Sequence, residues 1–124
     1  MSGELVLIVE DNDKNMRLAR DVLQHAGFRT VEAETAADGI ALAQEHRPAV
    51  ILLDIGLPDL DGVAALGRLR AQPATASIPV VALTAFAMPQ DRERLLAAGF
   101  DDYLSKPIDV SSLPDRVRQH CGPT

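Results

Sequence analysis

The sequence predicts an α/β fold, a doubly wound five-stranded parallel sheet with five helices. Three observations predict it. The runs Leu5-Val6-Leu7-Ile8-Val9, Val50-Ile51-Leu52-Leu53 and Ile78-Pro79-Val80-Val81-Ala82-Leu83 are short, continuously apolar and rich in β-branched residues, as strands buried on both faces are. Between the runs, apolar residues recur three or four apart, the spacing of an amphipathic helix. Strand-like and helix-like segments alternate along the whole chain, which gives parallel strands joined by right-handed crossovers, with helices on both faces of the sheet.

Each element follows in order. The first run leads into Glu10-Asp11-Asn12-Asp13. Met16, Ala19, Leu23 and Ala26 then mark a helix that Gly27 stops. Residues 29–34 carry Thr30 and Val31 amid much polarity, the composition of an edge strand. Residues 36–47 form a second helix, with Ile40 and Ala43 inward and Pro48 closing it. The central strand over 50–53 delivers Asp54 where Gly56 and Pro58 turn the chain. Val63, Leu66 and Leu69 mark a third helix, ended near Pro73. The strand over 78–83 has Pro79 near its start, where a missing donor is best tolerated, and leads into Thr84-Ala85. A fourth helix over 89–98 stops at Gly99. Asp102-Tyr103-Leu104 is a brief fifth strand before Ser105-Lys106-Pro107. The last helix, over 112–120, turns Leu113 and Val117 inward and holds Pro114 in its first turn, where the missing N–H costs least.

Residues 1–124 are expected to form a single domain, because the length leaves room for one core. A core of this size buries roughly two-thirds of the unfolded surface without disulfides or a structural metal. A formal charge of −6 argues against a phosphate-backbone binder, and no helix-turn-helix segment or basic face is found. Nucleic acid is therefore not an expected partner. The lone Cys121 builds neither a disulfide framework nor a zinc set and suits a reducing compartment. No apolar run reaches the length of a membrane span, and Met1-Ser2-Gly3-Glu4 lacks the regions of a signal peptide. The expected location is cytoplasmic, away from the membrane.

The chemistry lies in the polar residues that end the strands. Strand one gives Glu10 and Asp11, strand three Asp54, strand four Thr84 and strand five Lys106. Singly, each reads as readily as a cap, a turn residue or a surface charge. In a parallel sheet, however, all of them lie on one edge, where open α/β folds place their ligand sites. Crowded carboxylates repel each other and titrate upward unless a cation neutralises them. Oxygen ligands with open positions suit Mg²⁺, with Mn²⁺ as its substitute. A metal held by acids beside a lysine fits phosphoryl transfer: the cations neutralise phosphoryl oxygens while a carboxylate oxygen attacks in line. Asp54, the lone acid on the central strand, is the candidate nucleophile, since carboxylates form acyl phosphates elsewhere.

The set Glu10-Asp11, Asp54, Thr84 and Lys106-Pro107 closely resembles that of response-regulator receiver domains of two-component signalling, over essentially the whole chain. Locally the likeness is carried by Leu52-Leu53-Asp54-Ile55-Gly56-Leu57-Pro58-Asp59-Leu60-Asp61-Gly62 and by Ala98-Gly99-Phe100-Asp101-Asp102-Tyr103-Leu104-Ser105-Lys106-Pro107. The segments 10–15 and 83–88 look most like single-domain regulators of the DivK type and receivers of hybrid kinases. The resemblance implies flavodoxin-like (receiver) topology and a phosphoacceptor signalling domain rather than an enzyme. It implies that Asp54 takes a phosphoryl group from a histidine kinase or histidine phosphotransferase. Mg²⁺ would be held by Asp11, Asp54 and the backbone carbonyl of Gly56, with Glu10 acting through water. Lys106 and Thr84 would bind the phosphoryl oxygens, and Tyr103 would be the rotating aromatic that couples Thr84 to the surface. A cis peptide before Pro107 would position Lys106. The resemblance also implies a downstream protein target on the face of the fourth helix, fifth strand and fifth helix, in a monomer or weak homodimer.

Departures from the family pattern carry their own expectations. The acidic pair is Glu-Asp rather than Asp-Asp, which lengthens the reach to the metal. Gly56 and Phe86 stand two residues beyond Asp54 and Thr84, where side chains in the family influence how water reaches the acyl phosphate. Neither can orient water by a side-chain hydrogen bond, so a persistent phosphorylated state is expected. His25, His46 and His120 are expected at the surface. The run Gln90-Asp91-Arg92-Glu93-Arg94 is a solvated helix face or, by the resemblance, part of the partner surface. Phe86 and Met88 are either core or an exposed apolar element of the switch loop. Three other readings stand beside the main one. An Asp-nucleophile, Mg²⁺-dependent phosphohydrolase usually has a second acid where this chain has Gly56. A flavin or nucleotide carrier would have a Gly-, Ser- or Thr-rich loop where this chain has Glu10-Asp11-Asn12-Asp13. The chain also reads as the receiver portion of a larger regulator or hybrid histidine kinase.

Overall fold

A computed structural model describes residues 3–85 and 89–121. Phe86 and Met88 lie outside the described residues. Ten elements alternate strictly: β1 (Leu5–Val9), α1 (Asp13–His25), β2 (Arg29–Ala33), α2 (Ala36–His46), β3 (Val50–Asp54), α3 (Gly62–Arg70), β4 (Val80–Thr84), α4 (Pro89–Ala98), β5 (Asp102–Ser105) and α5 (Leu113–His120). The strands form one parallel sheet in the order β2-β1-β3-β4-β5. The strand order reverses between β1 and β3, and the carboxyl ends beside such a switch point open a crevice.

Alternation along the strands divides the core into two layers. Leu7, Val9, Ile51, Leu53, Val80 and Ala82 face α2, α3 and α4, meeting Ala43, Leu66, Leu69 and Leu95. Val6, Ile8, Val50, Leu52, Val81 and Leu83 face the other way, onto Met16, Ala19 and Leu23 of α1 and Leu113 and Val117 of α5. Each fully buried Leu or Ile in these layers contributes about 1.5–3 kcal/mol relative to exposure. β2 lies at the sheet edge, as its polarity predicts, and packs inward mainly through Ala33. Two close approaches fix how helices sit. A Cβ on Gly39 would meet Val9 at 2.7 Å, and one on Gly62 would meet Ile55 at 2.6 Å, so glycine lets α2 lie tight on β1 and the start of α3 on the turn after β3.

The structure corrects several boundaries and facings. β4 begins at Val80 rather than Ile78, because the Val80 N–H is taken by the Asp101 carboxylate at 2.8 Å and Pro79 has no N–H to give. Helix α2 ends at His46; Arg47 turns to a left-handed φ of 47° while its N–H reaches the Ala43 carbonyl. Val63 is only half-buried, and Ala65 takes the inward place beside Leu66 and Leu69. His120 is not a plain surface residue: its Nε2 lies 3.0 Å from the Asp102 carboxylate, on which the Arg116 guanidinium also closes. No described helix is long and apolar enough to cross a membrane.

Candidate functional site

Register sets the site. Val9 pairs with Leu53, Asp54 with Leu83, and Thr84 with Ser105, so Glu10, Asp54, Thr84 and Lys106 fall in a row across the carboxyl edge of four adjacent strands. They line a cleft of about 500 Å³, together with Asp11, Asn15, Gly56 and Arg94. Glu10, Asp54 and Thr84 are buried, at 1%, 4% and 2% exposure, whereas Asp11 stands exposed at the rim. Alternation explains the difference: Glu10 continues the face of Val6 and Ile8, and Asp11 starts the turn into α1.

The charges interlock. Lys106 Nζ lies 2.9 Å from Asp54 Oδ2 and 3.0 and 3.1 Å from the two Glu10 oxygens. Asn15, in the first turn of α1, donates to Glu10 Oε1 at 2.9 Å. The Gly56 N–H donates to Asp54 Oδ1 at 2.8 Å. Burial, helped by the adjacent Asp54, pushes Glu10 up to about 7 against the pull of Asn15 and Lys106. Burial acts on Asp54 too, but hydrogen bonds with Glu10, Lys106 and Gly56 outweigh it and hold Asp54 below the usual carboxylate range. Of the two acids, Asp54 thus holds its charge to lower pH, and Glu10 is the one that takes up a proton first. Lys106 is pulled in opposite directions; burial lowers it, but the two carboxylates prevail and raise it, so it stays charged.

The donor set fits a hard divalent cation. One oxygen each from Glu10, Asp11 and Asp54 can be chosen so that all lie within 4.8 Å of one another. A Cβ on Gly56 would meet only Asp54 Oδ1, at 3.4 Å, so the loop beside the acids leaves space. On the far side, Lys106 N–H donates to the Thr84 carbonyl at 2.8 Å, tying the two strand ends together, and the Lys106–Pro107 peptide is cis. Tyr103 is half-buried against the α2–α4 layer, with the Arg92 guanidinium 5.8 Å from its ring centroid. Asn15 and Arg94 escaped sequence reasoning as site residues. Asn15 had a signal, since it lies three residues past the Asn12 N-cap and so faces back toward the strand end. Arg94 had none, because its run reads as solvated.

Fold and site together define an α/β protein of flavodoxin-like topology, with acids, a hydroxyl and an amine gathered at one sheet edge. The family model for the response regulator receiver domain matches residues 6–118. The polar-differentiation response regulator DivK of Brucella anthropi is 40% identical over 117 residues, covering 94% of this chain and 95% of that one. Among solved structures, the receiver domain of a sensor histidine kinase from Pseudomonas aeruginosa PAO1, described with a magnesium ion coordinated in its active-site cleft, aligns with a TM-score of 0.88 at 35% identity. That alignment covers 98% of this chain and 100% of the other. The chemotaxis response regulator CheY4 of Vibrio cholerae aligns at 0.88 and 25% identity, covering 95% and 98%. The chain belongs to the response regulator receiver family, and it is a signalling domain of the two-component type.

Proposed function

We propose that Asp54 is the phosphoacceptor and that its phosphorylation, dependent on Mg²⁺, switches partner binding or passes the phosphoryl group onward. The observation that carries this is the Lys106 ammonium 2.9 Å from an ionised, buried Asp54 in a cleft of clustered acids. When bound, Mg²⁺ would be held by Asp11, Asp54 and the Gly56 carbonyl, with Glu10 reached through water, and would neutralise charge on the phosphoryl oxygens. A carboxylate oxygen of Asp54 attacks the phosphorus in line as the P–N bond to a donor imidazole breaks and its electron pair leaves on the nitrogen. The Lys106 ammonium, already among the carboxylates, follows the charge onto the phosphoryl oxygens. Thr84 donates to another of them and draws the end of β4 inward, shifting a pre-existing balance between two states. Tyr103, on the adjacent strand, passes the change to the surface.

The donor is a histidine kinase or histidine phosphotransferase. The downstream protein meets α4, β5 and α5; Leu96 on α4 and Val110 in the loop before α5 are the large apolar side chains left exposed among the described residues. Residues 1–124 act as one receiver unit in the cytoplasm, as a monomer or weak homodimer. Turnover of phosphomonoesters is disfavoured, because Gly56 occupies the place a phosphohydrolase would give its second acid. A second reading, a receiver cut from a larger regulator or hybrid kinase, is favoured by the 35% identity to the Pseudomonas kinase receiver.

Intact mass after incubation with acetyl phosphate tests the reading, run with Mg²⁺, with EDTA and on Asp54→Ala. One phosphoryl adduct that needs Mg²⁺ and disappears in the variant is the expected result. A folded chain that takes no adduct from acetyl phosphate or from a phosphorylated histidine phosphotransferase would overturn it.

A further inference from the structure

The turn after Asp54 is tied down at a point that the phosphoacceptor chemistry does not use. The Asp59 carboxylate accepts the Ala36 N–H at 3.0 Å and the Ala37 N–H at 3.1 Å, joining the loop between β3 and α3 to the start of α2. The first N–H groups of a helix have no partner within it and favour an anion. Helix α2 already has a cap of its own, however: the Thr35 hydroxyl takes the Asp38 N–H at 3.1 Å. Asp59 is therefore a second cap, supplied from 23 residues away, and its distinctive consequence falls on the loop.

Four residues separate Asp54 from Asp59. Leu57 is buried in the α2–α4 layer, and Pro58 has its φ fixed by its ring. Gly56 is the residue with the most conformational freedom among them, and a Cβ there would touch only Asp54. It lies between two fixed points, its own N–H bond to Asp54 on one side and the Asp59 anchor on the other. The Ala36 and Ala37 N–H groups hold the Asp59 carboxyl below the usual carboxylate range, so the anchor is an anion at neutral pH.

We propose that Asp59 is a positioning residue for the metal: by clamping the β3–α3 loop to the N-terminus of α2, it aims the Gly56 carbonyl and thereby sets the affinity for Mg²⁺. This rests on the reading of Gly56 as a metal ligand.

The test is a Mg²⁺ titration of the unphosphorylated chain, followed by ¹H–¹⁵N NMR, on the wild type, Asp59→Ala, Asp59→Asn and Thr35→Ala, with thermal unfolding of each in EDTA. Thr35→Ala removes a cap from the same helix without releasing the loop. Asp59→Ala is expected to weaken Mg²⁺ binding about tenfold, the low end for loss of a partner that orients a ligand. Asp59→Asn, which keeps one acceptor oxygen, should fall between Asp59→Ala and the wild type. Thr35→Ala should lose stability while its Mg²⁺ affinity stays within about twofold of the wild type, well inside the change that a lost orienting partner produces. Unchanged affinity in both Asp59 variants would overturn the positioning role, and so would equal weakening in Thr35→Ala. A wild-type chain that binds no Mg²⁺ would overturn the metal reading itself, and the role of Asp59 with it.

Discussion

The Lys106 ammonium bridges Asp54 and Glu10, 2.9 Å from one carboxylate and 3.0 Å from the other, and so holds two buried acids side by side. Without it they would repel each other in a poorly solvated cleft. Lys106→Met should therefore destabilise the chain in EDTA by about 3 kcal/mol, the low end for breaking a buried pair, since Glu10 can take up a proton in response. Added Mg²⁺ should recover part of the loss. Urea unfolding with and without the cation measures both effects, and a fully stable variant in EDTA would refute the bridge as a stabilising contact.

On the proposed reading, a change at Thr84 should separate acceptance of the phosphoryl group from the response to it. Thr84→Ala keeps Asp54, Lys106 and the acid cluster, so it should still gain a phosphoryl adduct from acetyl phosphate. It should lose the accompanying ¹H–¹⁵N shifts at Tyr103 and along α4. Full shifts in the variant would place the switch elsewhere.

On the proposed reading, the small residue at Gly56 is expected to prolong the phosphorylated state. A side chain fits there, since its Cβ would make only an ordinary contact with Asp54. Gly56→Asn introduces a group able to hold a water near the acyl phosphate, so the adduct should decay severalfold faster than in the wild type, followed by intact mass after the donor is removed. A wild-type adduct as short-lived as that of the variant would count against a persistent phosphorylated state.

Asp102 fastens α5 to β5. Burial disfavours its charge, but Arg116 and His120, with the Tyr103 N–H, outweigh burial and hold its carboxyl below the usual range. The unfolded chain therefore binds the extra proton first as pH falls. Stability from this contact is complete above the ordinary Asp value near 3.8 and is lost as pH drops through the depressed native value. Asp102→Asn should flatten the acid limb of the stability curve and cost about 1 kcal/mol at neutral pH, after allowance for solvent screening. Urea midpoints across the acid range, compared with the wild type, decide it.

Much of this molecule is legible before folding. Buried parallel strands read as unbroken apolar runs, so β1, β3 and β4 stand out, and the residues that leave those runs are the residues of the cleft. Glu10, Asp54 and Thr84 are visible for that reason alone, whereas Lys106 follows the more polar β5. Pairs made across the fold leave no such trace. Nothing in the spacing of Asp59 and Ala36 foretells that one caps the other, and the His120–Asp102 contact hides in a helix end that reads as solvated. The edge strand β5 was legible only in part, with Asp102, Tyr103 and Leu104 half-buried and Ser105 exposed.

By itself the sequence determined the alternation of strand and helix, the row of polar strand ends and, through that row, the kind of chemistry. These are local properties: periodicity of two or of 3.6, and the residue at which a run stops. Only the tertiary structure decided which acid is buried, which lysine distance holds the pair, and which carboxylate anchors the neighbouring loop. Those depend on strand order and register, which bring residues 10, 54 and 106 together from three separate turns of the chain. Burial then sets Glu10 apart from Asp11, although they are neighbours in sequence, because desolvation acts on where a side chain points and not on what it is.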